Sequence, residues 1–151
     1  MSVVECIIGL KVPDNTAISA FQTLQRMGFL ELKQLDRRNY YKFDISGKPD
    51  SFLMKIQEVD IILNLNKHWI MSPLQKYGTN QVFVLVKGDQ NESSLLKKLH
   101  SDWKRNEIRS VEHGTLWDMQ FQAGTNAPVA AEKIARALLV NEHYQSFKII
   151  G

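Results

Sequence analysis

Cysteine is almost missing from this sequence, and long apolar runs are missing altogether. The 151 residues contain one cysteine, Cys6, which can form neither a disulfide within the chain nor a cysteine-based metal cage. Its apolar neighbours in a predicted strand favour a buried, inert thiol. No run approaches the ~20 apolar residues that span a bilayer, and residues 1–6 lack the basic and then apolar order of a secretory signal. These absences predict a cytoplasmic protein without a membrane partner.

Recognisable catalytic and cofactor motifs are missing as well. None of the four histidines lies four residues from another, as helical metal-binding pairs do. The sequence contains no glycine-flanked nucleophile elbow, no Walker pattern and no GxGxxG. Paired carboxylates such as Asp14 with Asp44, or Glu112 with Asp118, have no sequence reason to converge and are expected to be solvated. We therefore expect no catalytic residue, no cofactor and no metal ion in this chain alone.

The charge balance is weakly basic, with 19 Lys and Arg against 16 Asp and Glu and a formal net charge of +3. Basic residues gather at Lys97 and Lys98 on a predicted helix and at Arg37 and Arg38 around a predicted hairpin. Acidic residues interrupt both groups, which favours solvated faces over a nucleic-acid surface. Nucleic acid is therefore not an expected partner.

What the chain does contain is a pattern that occurs twice. Strand, helix, hairpin, helix and strand fill residues 3–71 and recur in 81–150. The predicted hairpins cover 30–45 and 108–121. The pattern predicts an α+β fold of two βαββαβ modules, residues 1–72 and 81–151, joined by a linker at 73–80. Their antiparallel sheets are expected to be covered by helices and to pack as an internal pseudo-dimer, which buries faces that one module would expose.

Both copies carry residues that resemble one family. The segments that carry the resemblance are Val111–Phe121 in the second hairpin, the tail from Leu138 to Ile149, the first helix from Asp14 to Phe29, and Tyr40–Ile45. They are similar to the hairpin, ending and opening helix of PurS, the small subunit of phosphoribosylformylglycinamidine synthase. The chain thus resembles two PurS copies in tandem.

The resemblance implies a non-catalytic bridging subunit of a ligase complex in de novo purine biosynthesis. Its implied partners are a glutaminase (PurQ-type) subunit and an ATP-dependent synthetase (PurL-type) subunit, between which ammonia passes, and the tandem chain could also self-associate. Loops commonly carry recognition, so the two hairpin tips are the expected partner-binding points. As tips they would serve binding rather than folding. Their residues are Arg37, Arg38 and Asn39 in the first copy and His113 and Gly114 in the second.

Two other functions stay open at this point. An ACT-like regulatory module would bind a small metabolite through a glycine-containing loop after its first strand, and only the second copy has such a loop, Lys87–Gln90. An RNA-binding module would stack bases on aromatic side chains of a four-stranded sheet. That function requires solvent-facing aromatics, either Trp117 and Phe121 or Tyr41 and Phe43.

Overall fold

The computed structural model describes residues 2–88 and 92–151. The first half of the chain has three strands and two helices: β1 (Ser2–Leu10), α1 (Asn15–Arg26), β2 (Leu32–Ile45), α2 (Pro49–Ile56) and β3 (His68–Met71). The second half repeats this order with β4 (Gln81–Lys87), α3 (Glu92–Ser101), β5 (Ile108–Phe121), α4 (Ala127–Ile134), which continues into a π-helical turn (Ala135–Leu139), and β6 (Ser146–Ile150). The α+β class is confirmed.

The strands form one antiparallel sheet of six, in the order β3-β1-β2-β5-β4-β6, with four helices packed against it. β1 pairs with β2 and with β3, and β4 pairs with β5 and with β6. Two hydrogen bonds at the strand ends show that β2 and β5 run in opposite directions. The Ser46 N–H donates to the Glu107 carbonyl at 2.9 Å, and the Gln122 N–H donates to the Glu31 carbonyl at 2.9 Å.

The two predicted hairpins are wrong, because each is one continuous strand of 14 residues. In β2 no residue of the polar stretch 36–39 has the positive φ that tight hairpin turns require. In β5 the expected turn glycine, Gly114, also lacks a positive φ. It serves close packing, since an added Cβ would lie 2.8 Å from the Val86 carbonyl oxygen. Each half is therefore βαβαβ rather than βαββαβ.

The described residues form two compact units. The first contains 2–12, 39–74 and 92–113, and the second contains 13–38, 75–88 and 114–151. Each unit thus takes segments from both predicted modules, 1–72 and 81–151. β2 and β5 each contribute one part to the first unit and one part to the second.

The first unit has a core built by β1, α2, α3 and parts of the two long strands. Cys6 is fully buried in it, so the predicted buried thiol is confirmed, and burial raises its pKa to about 12. Leu99 of α3 is also fully buried there, although α3 follows β4 in the sequence. The buried members of this core are Val4, Cys6, Ile8, Tyr41, Phe43, Ile45, Phe52, Ile56, Val59, Ile62, Leu63, Leu99, Ile108 and Val111.

The second unit has a core in which α1 and α4 pack on β4 and the C-terminal part of β5. α1 begins where the Asp14 side chain accepts hydrogen bonds from the N–H groups of Thr16 and Ala17, and Gly28 follows its end with a φ of +98°. The apolar face of α1 buries Ala17 and Leu24 in this core, although α1 follows β1 in the sequence. Its other buried members are Leu32, Leu35, Val82, Val84, Val86, Trp117, Met119, Phe121, Ala127, Ala130, Ala131, Ile134, Ala135 and Val140.

Candidate partner-binding residues

Arg37 lies inside β2, and its side chain is already engaged within the second unit. Its Nε donates to Asp14 Oδ2 at 2.9 Å and its Nη2 to Asp14 Oδ1 at 3.1 Å. The same Asp14 carboxylate caps α1. The Asp14 side chain is 13% exposed and that of Arg37 is 36% exposed. The fork of the guanidinium therefore fixes the start of α1 to the sheet, and the expectation that Asp14 is solvated is wrong.

Arg38 is the next residue of β2 and belongs to a polar cluster in the same unit. Its side chain is 19% exposed, donates to the Arg37 carbonyl at 3.2 Å and lies 3.7 Å from Asp36 Oδ2. Asp118 of β5 is partly buried nearby. Burial raises the pKa of Asp118, whereas the hydrogen bond from Gln81 and the charge of Arg38 lower it and the charge of Asp36 raises it. Asp118 is therefore partly buried and hydrogen-bonded, and the expectation that it is solvated is wrong.

Gln81 connects this cluster to the segment that precedes β4. It is only 1% exposed, and its Nε2 donates to Asp118 Oδ1 at 2.8 Å. Its Oε1 accepts from the N–H groups of Tyr77 at 2.5 Å and Gly78 at 3.1 Å. Because both polar atoms of the Gln81 amide are hydrogen-bonded, its burial costs little free energy. The bonds to Tyr77 and Gly78 also hold the segment before β4 in one position.

Asn39 and His113 belong to the first unit. Asn39 is exposed and lies opposite Ile8 of β1. The His113 ring stacks on Tyr41 with centroids 4.5 Å apart and planes 5° apart, and the His113 N–H donates to Glu92 Oε2 at 2.8 Å. Burial lowers the pKa of His113, while the Glu92 charge raises it. The imidazole thus acts as part of an aromatic stack beside the start of α3.

Glu5 organises a second polar site in the first unit, one that sequence reasoning missed. Its Oε2 accepts from the Tyr40 hydroxyl at 2.6 Å, and its Oε1 accepts from the Leu74 N–H at 2.9 Å. Burial and the bond to Glu5 raise the pKa of Tyr40. The sequence does contain one signal for such sites, which is a single polar residue in or beside an apolar strand. Glu5 and Gln81 both lie at such positions.

A shallow groove of about 500 Å³ lies beside β6 in the second unit. Arg136, in the π-helical turn, donates to Glu132 Oε1 at 3.2 and 3.3 Å and also to Glu142. Its guanidinium lies 5.2 Å from the centroid of the Phe147 ring. Two carboxylates and one guanidinium give this group a net charge of about −1. The groove is lined by Glu132, Arg136, Glu142, Gln145, Ser146, Phe147 and Ile149.

The aromatic side chains that an RNA-binding function requires are buried. Trp117 and Phe121 are 7% and 5% exposed, and Tyr41 and Phe43 are 5% and 0% exposed. They lie in the two cores, so they offer no stacking platform to bases. In the loop of the metabolite-binding alternative, Gly88 packs against the Gln145 side chain, and Asp89 and Gln90 lie outside the described residues.

Comparison with known proteins adds no family to these observations. No protein-family model matches the chain, and the search of curated proteins gives no match either.

Within residues 2–88 and 92–151, no helix is both long and apolar enough to cross a membrane. The same described part of the chain contains no group of three or more His, Cys, Asp or Glu residues placed to hold a metal ion.

Proposed function

We propose that this chain is a fused pair of PurS-like repeats and acts as a bridging subunit of phosphoribosylformylglycinamidine synthase. In this role it holds a PurQ-type glutaminase against a PurL-type synthetase, so that ammonia released from glutamine reaches formylglycinamide ribonucleotide within one assembly. The proposal combines the resemblance of both sequence copies to PurS with the way in which the two copies are built.

The observation that carries the fused pair is a repeated arrangement at the ends of the long strands. β2 and β5 have the same length, and equivalent positions such as Leu32 and Ile108 are 76 residues apart. Ser46 and Gln122 are equivalent under this shift, and so are Glu31 and Glu107. The hydrogen bond from Ser46 to Glu107 therefore has its counterpart in the bond from Gln122 to Glu31, in which the donor and acceptor copies are exchanged. A two-fold dimer makes each contact twice in this reciprocal way, which supports a dimer-like origin for the single chain.

The exchanged helices support the same proposal. The core of the second unit needs α1 of the first copy, and the core of the first unit needs α3 of the second copy. One copy alone would leave buried residues such as Leu24 and Leu99 without a core. A bridging subunit gains from such a construction, because two partners can be held on a scaffold whose copies cannot separate.

Co-purification tests the proposal. The tagged chain should retain untagged synthetase and glutaminase from the same host in a stable ratio through size exclusion. The predicted contacts provide two variants for this assay, one at the exposed Asn39 and one at the partly buried Arg38. Asn39→Asp and Arg38→Ala are tested singly, with Lys97→Ala on an exposed helix face as the matched control. If neither subunit is retained by the unaltered chain at micromolar concentrations, the bridging function is wrong.

A further inference from the structure

β6 forms one edge of the sheet and pairs on one side only. Its register with β4 runs from Phe83 opposite Ile150 to Lys87 opposite Ser146. Among the described residues no strand lies on its other side. The backbone N–H and C=O groups along that side are therefore available to an additional strand, which is the usual way in which an exposed edge recruits an extended segment.

The groove described above runs beside this free edge. It is lined by Ser146, Phe147 and Ile149 of β6 together with Glu132, Arg136 and Glu142. A space of about 500 Å³ accommodates several side chains of an extended segment. Phe147 and Ile149 lie opposite Val86 and Val84, whose side chains are in the core, so they present the margin of the apolar core to this space.

The charges on the two faces of β6 differ in sign. Lys148 is exposed and lies opposite Leu85, so its side chain is on the other face of the sheet from Phe147 and Ile149. On the groove side, the Glu132, Arg136 and Glu142 group has a net charge of about −1. An incoming strand would therefore meet a positive charge on one face and a negative environment on the other.

The same lysine disfavours a second copy of this chain as the occupant. Antiparallel pairing of β6 with β6 of another copy, centred on Lys148, would place the two lysines directly opposite each other. Like charges in that position destabilise a strand pair, and a lysine in an edge strand commonly prevents such self-association. The occupant that fits has a different charge pattern from β6 itself.

We propose that β6 accepts an extended segment of a partner protein as a seventh strand. The segment carries an acidic side chain opposite Lys148 and a basic side chain at the adjacent position, on the face next to Glu132 and Glu142. Backbone hydrogen bonds provide the pairing, and the two charges determine the register. This docking edge does not depend on the identity of the complex proposed above, because it follows from the strand order, the groove and the charges.

A capped ten-residue peptide of alternating Val and Thr, with one central Glu and an adjacent Arg, is the probe. It is added to the ¹⁵N-labelled full chain while amide chemical shifts and hydrogen exchange are followed by NMR. We expect perturbation and slowed exchange at residues 146–150 and along the groove. No perturbation up to millimolar peptide, or perturbation centred on β3 instead, would overturn the proposal.

Two N-methylated peptides and one charge-reversed peptide separate backbone pairing from charge attraction. Methylating alternate nitrogens on one edge of the peptide should abolish binding, and methylating the other edge should leave it intact, since only one edge can face β6. Exchanging the Glu for Lys and the Arg for Glu should weaken binding about tenfold, as expected for two exposed ion pairs that become repulsive. Equal binding of both methylated peptides would overturn strand addition.

Variants of the chain complete the test. Lys148→Glu makes both faces of β6 negative, so each peptide has one attractive and one repulsive contact, and the preference for the original peptide over the charge-reversed peptide should disappear. Lys97→Glu, which makes the same charge change on an exposed face of α3, should leave that preference unchanged. If Lys97→Glu removes the preference as completely as Lys148→Glu, the effect is one of overall charge and the docking edge is wrong.

Discussion

Replacing Arg37 with Ala removes the contact that holds the start of α1 to β2. Two charge-assisted hydrogen bonds to Asp14 are lost, and such bonds are each worth about 1.5–3 kcal/mol when well shielded. Because the Arg37 side chain is 36% exposed, water compensates part of the loss, and Asp14 keeps its bonds to Thr16 and Ala17. We expect the free energy of unfolding to fall by about 1–2 kcal/mol, which corresponds to about 2–8 °C in Tm for a chain of this size.

Urea unfolding followed by circular dichroism measures this loss. Arg109→Ala is the matched control, since Arg109 is an exposed arginine of β5, and it should change stability by less than about 0.5 kcal/mol.

Asp14→Asn keeps a helix-capping side chain and removes the charge. In the Asp14→Asn background, Arg37→Ala should cost much less than in the original chain. An Arg37→Ala variant as stable as the Arg109→Ala control would refute this role, and an undiminished cost in the Asp14→Asn background would show that Asp14 is not the relevant partner.

Three further predictions follow from the same contacts. Burial raises the folded-state pKa of Asp118 above its usual 3.8, so the free energy of unfolding falls as pH rises from that value through the raised pKa. Asp118→Asn can still accept from Gln81, so urea titrations should show its stability rising relative to the unaltered chain between about pH 3.5 and pH 7. A constant stability difference across this range would contradict the assignment. Gly114→Ala should cost about 1–3 kcal/mol because the new methyl group meets the Val86 carbonyl oxygen, whereas Gly88→Ala meets only the flexible Gln145 side chain and should cost clearly less in the same assay. Each core contains residues from both halves of the chain, so the fragments 1–74 and 75–151 should each aggregate or remain unfolded when they are expressed separately. Co-expression of the two fragments should restore a cooperative melt. A monomeric, cooperatively folded 1–74 fragment would contradict the exchange of helices.

Local chemistry made much of the fold predictable from sequence. Asp14 caps α1 and Gly28 follows its end, and these residue types are the ones that favour those two positions. The alternating or continuous apolar runs locate β1 and β4, and the predicted linker at 73–80 lies between β3 and β4. These features depend on neighbours within a few residues, which is the range over which sequence patterns carry information.

The hairpins and the exchanged helices depend on distant partners. The polar run at Asp36–Asn39 resembles a turn in sequence, yet Arg37 finds its carboxylate on Asp14, 23 residues away, and the strand continues. The helical periodicity of α1 predicts a buried face without indicating which strands cover it. For the same reason Gln81 and Asp118 could not be recognised as a buried pair, since they are 37 residues apart.

The central claim is that the chain joins a glutaminase to a synthetase, and one comparison of nitrogen sources tests it directly. Purified PurL-type and PurQ-type subunits are assayed for product formation with glutamine or with free ammonia, each with and without this chain. Ammonia transfer within an assembly predicts that the chain strongly increases the glutamine-dependent rate and has a much smaller effect on the rate with saturating ammonia. Equal glutamine-dependent rates in the presence and absence of the chain would contradict the proposed function.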